Sequence, residues 1–494
     1  MNVVVILWPP LIAAALAVIP SRRRWWQPGV TLLSCLLVLV LTVRLAWRIA
    51  AGASVTAGLG PGWSNWVMVD GLSALILLLI ALVATTAAIF SVGYMEHGER
   101  TPRRLRLYYA NYNLFVFSML AIPLLAEPTL VWIVVELTTL CSALLVSFEN
   151  THEALEAAWK YVVLSLMGAG FALFGFLLLF AAMHAGGAGP YTWTGLIAAA
   201  PTMPPLVAQT AFLVILIGLG TKVGLVPMHT WLPDAHSQAP SPVCALLSGI
   251  ETTTILYVIL RLFPVMQAIP GAHTATWALV LGLISVGTAA LLLLQVTDYK
   301  RLFAFSTVEH MGIILTAVGL GTSASYGAMQ QIVTHSVTKS FCFFAAGATL
   351  LAVGTRQIGS VRGLIRRAPA AGAALLLAGL AITGAPPLAV FLSEFAILRA
   401  GLLQRQYLAT GLLALFIVIA FFGVMLHVNR MVFGTAAGAE AAEDPPEETA
   451  WRFRLPFSCA LALLLAAIPV IVLGVYIPAP LDELLKQAAA ALSR

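Results

Sequence analysis

Lys222 lies inside Leu213-Val-Ile-Leu-Ile-Gly-Leu-Gly-Thr-Lys-Val-Gly-Leu-Val-Pro-Met228, a run apolar enough to sit in a membrane-spanning helix. An ammonium group in hydrocarbon is costly, so a lysine there implies a partner and a task. It has company. Glu136 follows Leu130-Val-Trp-Ile-Val-Val, Glu251 falls near the middle of another apolar run, and Lys339 lies in His335-Ser-Val-Thr-Lys-Ser. Glu394 sits deep in a further run, Glu309 and His310 in another, and His427 near the end of one more. Any one of these side chains, alone, can snorkel from a helix end to the interface. As a set, acids and bases alternate, and carboxylates, ammonium groups and imidazoles can hand a proton from one to the next through a wet membrane interior.

Other chemistries find no support. The sequence has no GxxxxGK[ST], and no GxGxxG opens a helix after a strand. His229, Asp234 and His236, in Pro227-Met-His-Thr-Trp-Leu-Pro-Asp-Ala-His236, imitate a metal cluster. A capped loop between two spans, with Asp234 near a helix start, accounts for them better. Cys35, Cys141, Cys244, Cys342 and Cys459 are far apart in apolar runs, so neither a disulfide framework nor an iron–sulfur or zinc site is expected in this chain.

The elements that must position these residues follow from composition. The 494 residues are 61% hydrophobic and 9% charged, with a mean hydropathy of +0.97, which describes a polytopic all-α membrane protein rather than a soluble one. Apolar runs suggest about fourteen spans, at 3–20, 29–50, 70–93, 107–125, 128–148, 158–183, 205–228, 240–263, 275–296, 302–320, 326–353, 370–397, 408–429 and 457–478. The first run lacks a basic leader and reads as a retained span. Gly434 to Arg454, with Glu-Asp-Pro-Pro-Glu-Glu at its centre, is the only long polar stretch and reads as a flexible surface loop. Trp25, Trp26, Trp63, Trp66, Tyr108 and Tyr109 near span ends look like interfacial anchors.

Alternate loops carry about 17 of the 26 Lys and Arg residues on one side and about 7 on the other. The net charge of +6 therefore reports orientation rather than nucleic-acid binding. The richer side is expected to be cytoplasmic, which puts both termini outside, in the periplasm of a bacterial inner membrane. Pro227 breaks the helix beside Lys222, and Thr383-Gly-Ala-Pro-Pro-Leu-Ala-Val-Phe-Leu-Ser-Glu394 places Pro386 and Pro387 before an acid. Interrupted segments in two halves point to inverted repeats with an ion path at the breaks. The expected layout is helices 1–3 over 1–105, a first five-helix repeat over 106–265, a second, inverted one over 270–435, and a loop with the last helix over 436–494.

Those same segments carry a resemblance. Gly220-Thr-Lys-Val-Gly-Leu-Val-Pro-Met-His-Thr-Trp-Leu-Pro-Asp-Ala-His-Ser-Gln-Ala-Pro240 resembles the signature of the antiporter-like subunits shared by respiratory complex I, membrane-bound [NiFe] hydrogenases and multisubunit sodium/proton antiporters. The likeness continues through Asp298-Tyr-Lys-Arg-Leu-Phe-Ala-Phe-Ser-Thr-Val-Glu-His-Met-Gly312, His335-Ser-Val-Thr-Lys339 and Phe391-Leu-Ser-Glu-Phe395, over about residues 65–435. Within the family it looks most like component F of hydrogenase-4 type complexes. The resemblance implies a functional pair of Glu136 with Lys222, a relay lysine at Lys339 and an outer exit at Glu394.

One departure matters. Where many members have a lysine in the eighth span, Gly249-Ile-Glu-Thr-Thr-Thr254 places Thr253, with Glu251 two residues before it. Either Glu251 faces the path with the opposite charge, or it lies at a partner interface and water near Thr253 bridges to Lys339 and His335. The first is favoured, because a lipid-facing glutamate is costly. The expected proton path is Glu136, Lys222, Glu251, His335, Lys339 and Glu394, with Thr253, Glu309 and His310 as secondary relay candidates. The implied function is proton translocation in a redox-driven complex of the hydrogenase-4 or formate hydrogenlyase type, by a subunit not catalytic in isolation. Iron–sulfur and nickel–iron centres are expected in partner subunits, alongside other membrane-arm subunits. A subunit of NADH:quinone oxidoreductase, a sodium/proton antiporter subunit, and a scaffold that has lost conduction stay open as alternatives.

Overall fold

In hydrocarbon a backbone has no water to bond, so an apolar chain closes its hydrogen bonds within helices. The computed structural model describes residues 3–53, 66–98, 100–187, 189–435 and 453–492, and among them no strand forms beyond two isolated bridges, Val67 with Leu125 and Asp298 with Gln357. The polar stretch around Glu-Asp-Pro-Pro-Glu-Glu, and Trp63, lie outside the described residues.

The N-terminal group is α1 (Trp8–Val18), α2 (Trp26–Ala50) and α3 (Gly71–Glu96). The next stretch holds α4 (Pro102–Ala121), α5 (Pro128–Val146), the long α6 (His152–Gly186), the short α7 (Trp193–Ala199), α8 (Pro205–Val223) and α9 (Trp231–Gln238). Then α10 (Ser241–Leu246), a π turn (Leu247–Glu251) and α11 (Thr252–Gln267) run on as one rod. The second half comprises α12 (Thr274–Leu293), α13 (Tyr299–Gly319), α14 (Ser325–Val353), the short α15 (Leu364–Arg367), α16 (Pro369–Ile382), α17 (Ala389–Leu403) and α18 (Tyr407–Phe433). It is followed by α19 (Phe457–Val472) and the amphipathic α20 (Ala479–Ala490). Among the described residues, eleven helical segments are long and apolar enough to cross a membrane, and three shorter apolar helices join them. They correspond one to one with the expected spans, the twelfth being α16 and α17 together. The surface helix α20 was not expected; it buries Leu484, Leu485 and Ala488 and carries Asp482, Glu483 and Lys486 on its opposite side.

The charged ends sort as the loop count requires. Arg24 meets Glu96, Arg100 meets Glu149, and Lys160 and Arg301 both meet Asp234, all at one end of the bundle. At the other end Arg261 grips Asp70, the N-cap of α3. All five cysteines are buried and free.

The two interruptions are real, but glycine rather than proline makes them. At the end of α8, Gly224 adopts φ 86°, and the Leu225 N–H reaches back to the Gly220 carbonyl at 2.8 Å. At the end of α16, Gly384 adopts φ 67°, and the Ala385 N–H reaches the Leu380 carbonyl at 3.0 Å. Both are helix ends of the kind a left-handed glycine closes. Pro227 and the Pro386–Pro387 pair follow, at cis peptide bonds, and have no N–H with which to resume the ladder at once. Close packing fixes α8 against α6: a Cβ at Gly168 would lie 2.6 Å from the Gly218 carbonyl oxygen, so small residues set that distance.

Candidate functional site

The last turn of α8 carries Lys222 to the first interruption, buried at 3% exposure against Glu251 at 1%. Its Nζ lies 3.3 Å from Glu251 Oε1. It also donates to the Val135 carbonyl at 2.9 Å and to the Thr139 hydroxyl, both on α5. Glu251 Oε1 accepts from the Tyr161 hydroxyl at 3.0 Å and from Ser142 Oγ at 3.5 Å, and those two hydroxyls are 2.7 Å apart. A buried ion pair needs its remaining donors and acceptors met, and here α5 and α6 meet those of Lys222 Nζ and of Glu251 Oε1, while Glu251 Oε2 has no protein partner. Trp231, at the start of α9, donates to the Thr221 carbonyl at 2.7 Å, and its ring lies 4.5 Å from that of Tyr161, tilted by 39°, which closes the site over the helix end.

The direct Glu136–Lys222 pair implied by the resemblance is not formed. Val135 and Thr139 are four apart and share the face of α5 turned to Lys222; Glu136, one residue on, is rotated by about 100°. Its two carboxylate oxygens are buried and have no hydrogen-bond partner in the protein. Glu136 is near enough for Lys222 to feel its charge, without contact. Glu251 takes the position instead. Thr253 is spent on its own helix, donating to the Gly249 carbonyl at 2.9 Å and the Ile250 carbonyl at 3.1 Å.

A second cluster lies beyond the π turn. Lys339 of α14 donates to Ser306 Oγ and to the Phe303 carbonyl, each at 2.6 Å, both on α13. His335, one turn earlier, bonds through Nε2 to the Ser248 carbonyl at 3.0 Å, and its ring centre is 5.2 Å from that of His310. His310 Nε2 donates to the Ile382 carbonyl at 3.0 Å, the last residue before the second interruption. Its Nδ1 accepts from Gln331 Nε2 at 3.3 Å, which fixes a neutral tautomer in this network. Gln331 Oε1 in turn accepts from Ser393 Oγ at 2.5 Å, and Ser393 is 2.9 Å from Thr334 Oγ1. Beside Ser393, Glu394 turns back onto the glycine of the interruption: a Cβ on Gly384 would fall 2.2 Å from Glu394 Oε2. Glu309 is buried next to His310, at 5% exposure.

Sequence reasoning missed the hydroxyl and amide groups that join these residues: Tyr161, Ser142, Thr139, Ser306, Gln331, Ser393 and Thr334. The available signal was polar residues three or four apart facing inward in otherwise apolar spans. Two of the three residues that imitate a metal cluster have other partners. Asp234 takes Lys160 and Arg301, and His236 donates from Nδ1 to the Leu232 carbonyl at 2.7 Å. His427 lies against the Leu293–Leu294 backbone, apart from both clusters.

Residues 126–422 match the family described as NADH:quinone oxidoreductase/Mrp antiporter, transmembrane, and residues 64–104 match the N-terminus of chain 5 of NADH-ubiquinone oxidoreductase (complex I). A hydrogenase-4 component F homolog of Methylacidiphilum infernorum (isolate V4) is 37% identical over 84% of this chain and 86% of its own. NADH-quinone oxidoreductase subunit N of Desulforudis audaxviator (strain MP104C) is 26% identical over 96% and 95%. Among solved structures, a chain of the membrane-bound sulfane sulfur reductase, an archaeal respiratory membrane complex, superposes with a TM-score of 0.87 at 23% identity, over 99% of this chain and 97% of that one.

Proposed function

Because the chain belongs to the NADH:quinone oxidoreductase/Mrp antiporter transmembrane family, we propose that it moves protons across the membrane as a subunit of a redox-driven complex of the hydrogenase-4 type. The observation that carries this is the buried Lys222–Glu251 pair at the end of an interrupted helix, with Lys339, His335 and His310 beyond it. A cation and a carboxylate 3.3 Å apart in low dielectric hold each other charged, and passing one proton between them neutralises both at once.

The path runs from Glu136 and Lys222 through Glu251 to His335 and Lys339, and leaves through His310 and Glu394, with Glu309 beside it. The buried polar atoms that lack protein partners along it, among them Glu251 Oε2, His335 Nδ1, Ser336 Oγ and Thr338 Oγ1, are groups that water satisfies. Both interruptions expose backbone beside charge, as broken helices do in transporters. Residues 106–265 and 270–435 act as the two halves. Electron transfer belongs to partner subunits with iron–sulfur and nickel–iron centres, next to which this chain lies in the membrane arm with both termini outside.

The test is proton uptake by inverted vesicles during turnover of the assembled complex. Lys222→Ala should leave assembly intact and abolish uptake coupled to turnover; wild-type pumping by an assembled Lys222→Ala complex would end this reading. Uptake that follows sodium rather than protons would assign the chain to sodium transport instead.

A further inference from the structure

The two clusters meet at one irregular turn. Leu247–Glu251 is π-helical within a rod that is otherwise α-helical on both sides. A π turn accommodates an extra residue, is rare, and concentrates at functional sites. The hydroxyl and the carbonyl of Ser248 are each held from the second half, the carbonyl also accepting from Thr252 Oγ1 of its own helix at 2.8 Å. Its hydroxyl is 2.6 Å from Thr307 Oγ1 on α13, and its carbonyl accepts from His335 Nε2 on α14. At the other end of the same turn is Glu251, held from the first half. All its contacts go through Oε1, while Oε2 is buried without a partner. Between them Gly249 lies flat on α14, where a Cβ would be 3.1 Å from the Ser336 carbonyl oxygen and 3.7 Å from Lys339 Cβ.

We propose that Ser248 is a positioning residue for Glu251: tethered to Thr307 and His335, it holds the π turn that aims Glu251 at Lys222, and a one-residue shift of that turn swings Glu251 toward Lys339. This rests on the relay reading above and says how its two halves are joined without a lysine at Thr253. A shift of one residue rotates a side chain by about 100°. Ser248, near the other end of the same turn, faces Thr307 and His335. Turned toward the side that Ser248 faces, the shift carries Glu251 toward Thr307, whose neighbour Ser306 accepts from Lys339 Nζ. One proton moves. An N–H bond of Lys222 breaks as an O–H bond forms on Glu251. After the swing that O–H bond breaks as an N–H bond forms on the neutral amine of Lys339, and Lys222 is left neutral, ready to be recharged.

The experiment uses the purified complex and the infrared carboxyl band that disappears in Glu251→Gln. Ser248→Ala should move that band and cut proton uptake on the order of tenfold, and Ser248→Thr, which keeps the hydroxyl, should restore both. Thr307→Val severs the same tether from α13 and should move the band likewise, which covers the case of a Ser248→Ala chain that does not assemble. A band unmoved in both Ser248→Ala and Thr307→Val overturns the role of Ser248, as does a moved band with unchanged uptake. Normal pumping by Lys222→Ala would instead remove the relay reading itself, so the two failures are told apart.

Discussion

At Lys222 the ammonium is met by a carboxylate, a carbonyl and a hydroxyl, and its site tolerates no loss of the carboxylate. Breaking a buried pair leaves an uncompensated charge, at a cost of about 3–5 kcal/mol. Glu251→Gln should therefore lower the thermal unfolding midpoint of the purified subunit and slow proton uptake on the order of tenfold or more. Glu136→Gln removes no hydrogen bond within the chain and should leave that midpoint unchanged. Equal destabilisation by the two would contradict the pairing seen here. The ionisable residues were legible in the sequence because charge in an apolar run has few explanations. Their pairing was not, because a one-residue step on α5 separates Glu136 from Val135 on the face turned to Lys222, and Tyr161 and Ser142 gave only the weak signal of polar residues facing inward in apolar spans.

At the scale of the helix, the interruptions were legible and their cause was misread. The prolines are conspicuous in the sequence, but Gly224 and Gly384 end the helices first, in a conformation other residues adopt only under strain. Pro227→Ala should then be tolerated in assembly and reduce pumping only modestly, since the helix has already closed onto Gly220. Gly384→Ala should be severe, because the backbone is left-handed there and the added carbon meets the Glu394 carboxylate. Yields of assembled complex, with proton uptake measured on what assembles, check both; a harmless Gly384→Ala would show that Glu394 does not depend on this turn. The π turn was beyond the sequence altogether, since nothing in Leu-Ser-Gly-Ile-Glu distinguishes hydrogen bonds between residues five apart from those of a regular helix.

For the whole molecule, the number of spans and the sorting of charge between the two ends were both available from hydropathy and from Lys and Arg, because bilayer thickness and membrane insertion act on composition rather than on detailed packing. The sorting has a side to be tested, with Arg23 exposed at the charge-rich end and Arg405 at the other. The burial of every native thiol makes that test simple. A maleimide too polar to cross a membrane finds no cysteine to react with in the native fold, so single cysteines can be introduced without first removing five. Arg405→Cys should be labelled on intact cells and Arg23→Cys only after the cells are opened, and the reverse pattern would turn the protein over in its membrane. The untouched chain thus serves as its own blank for mapping by chemical labelling.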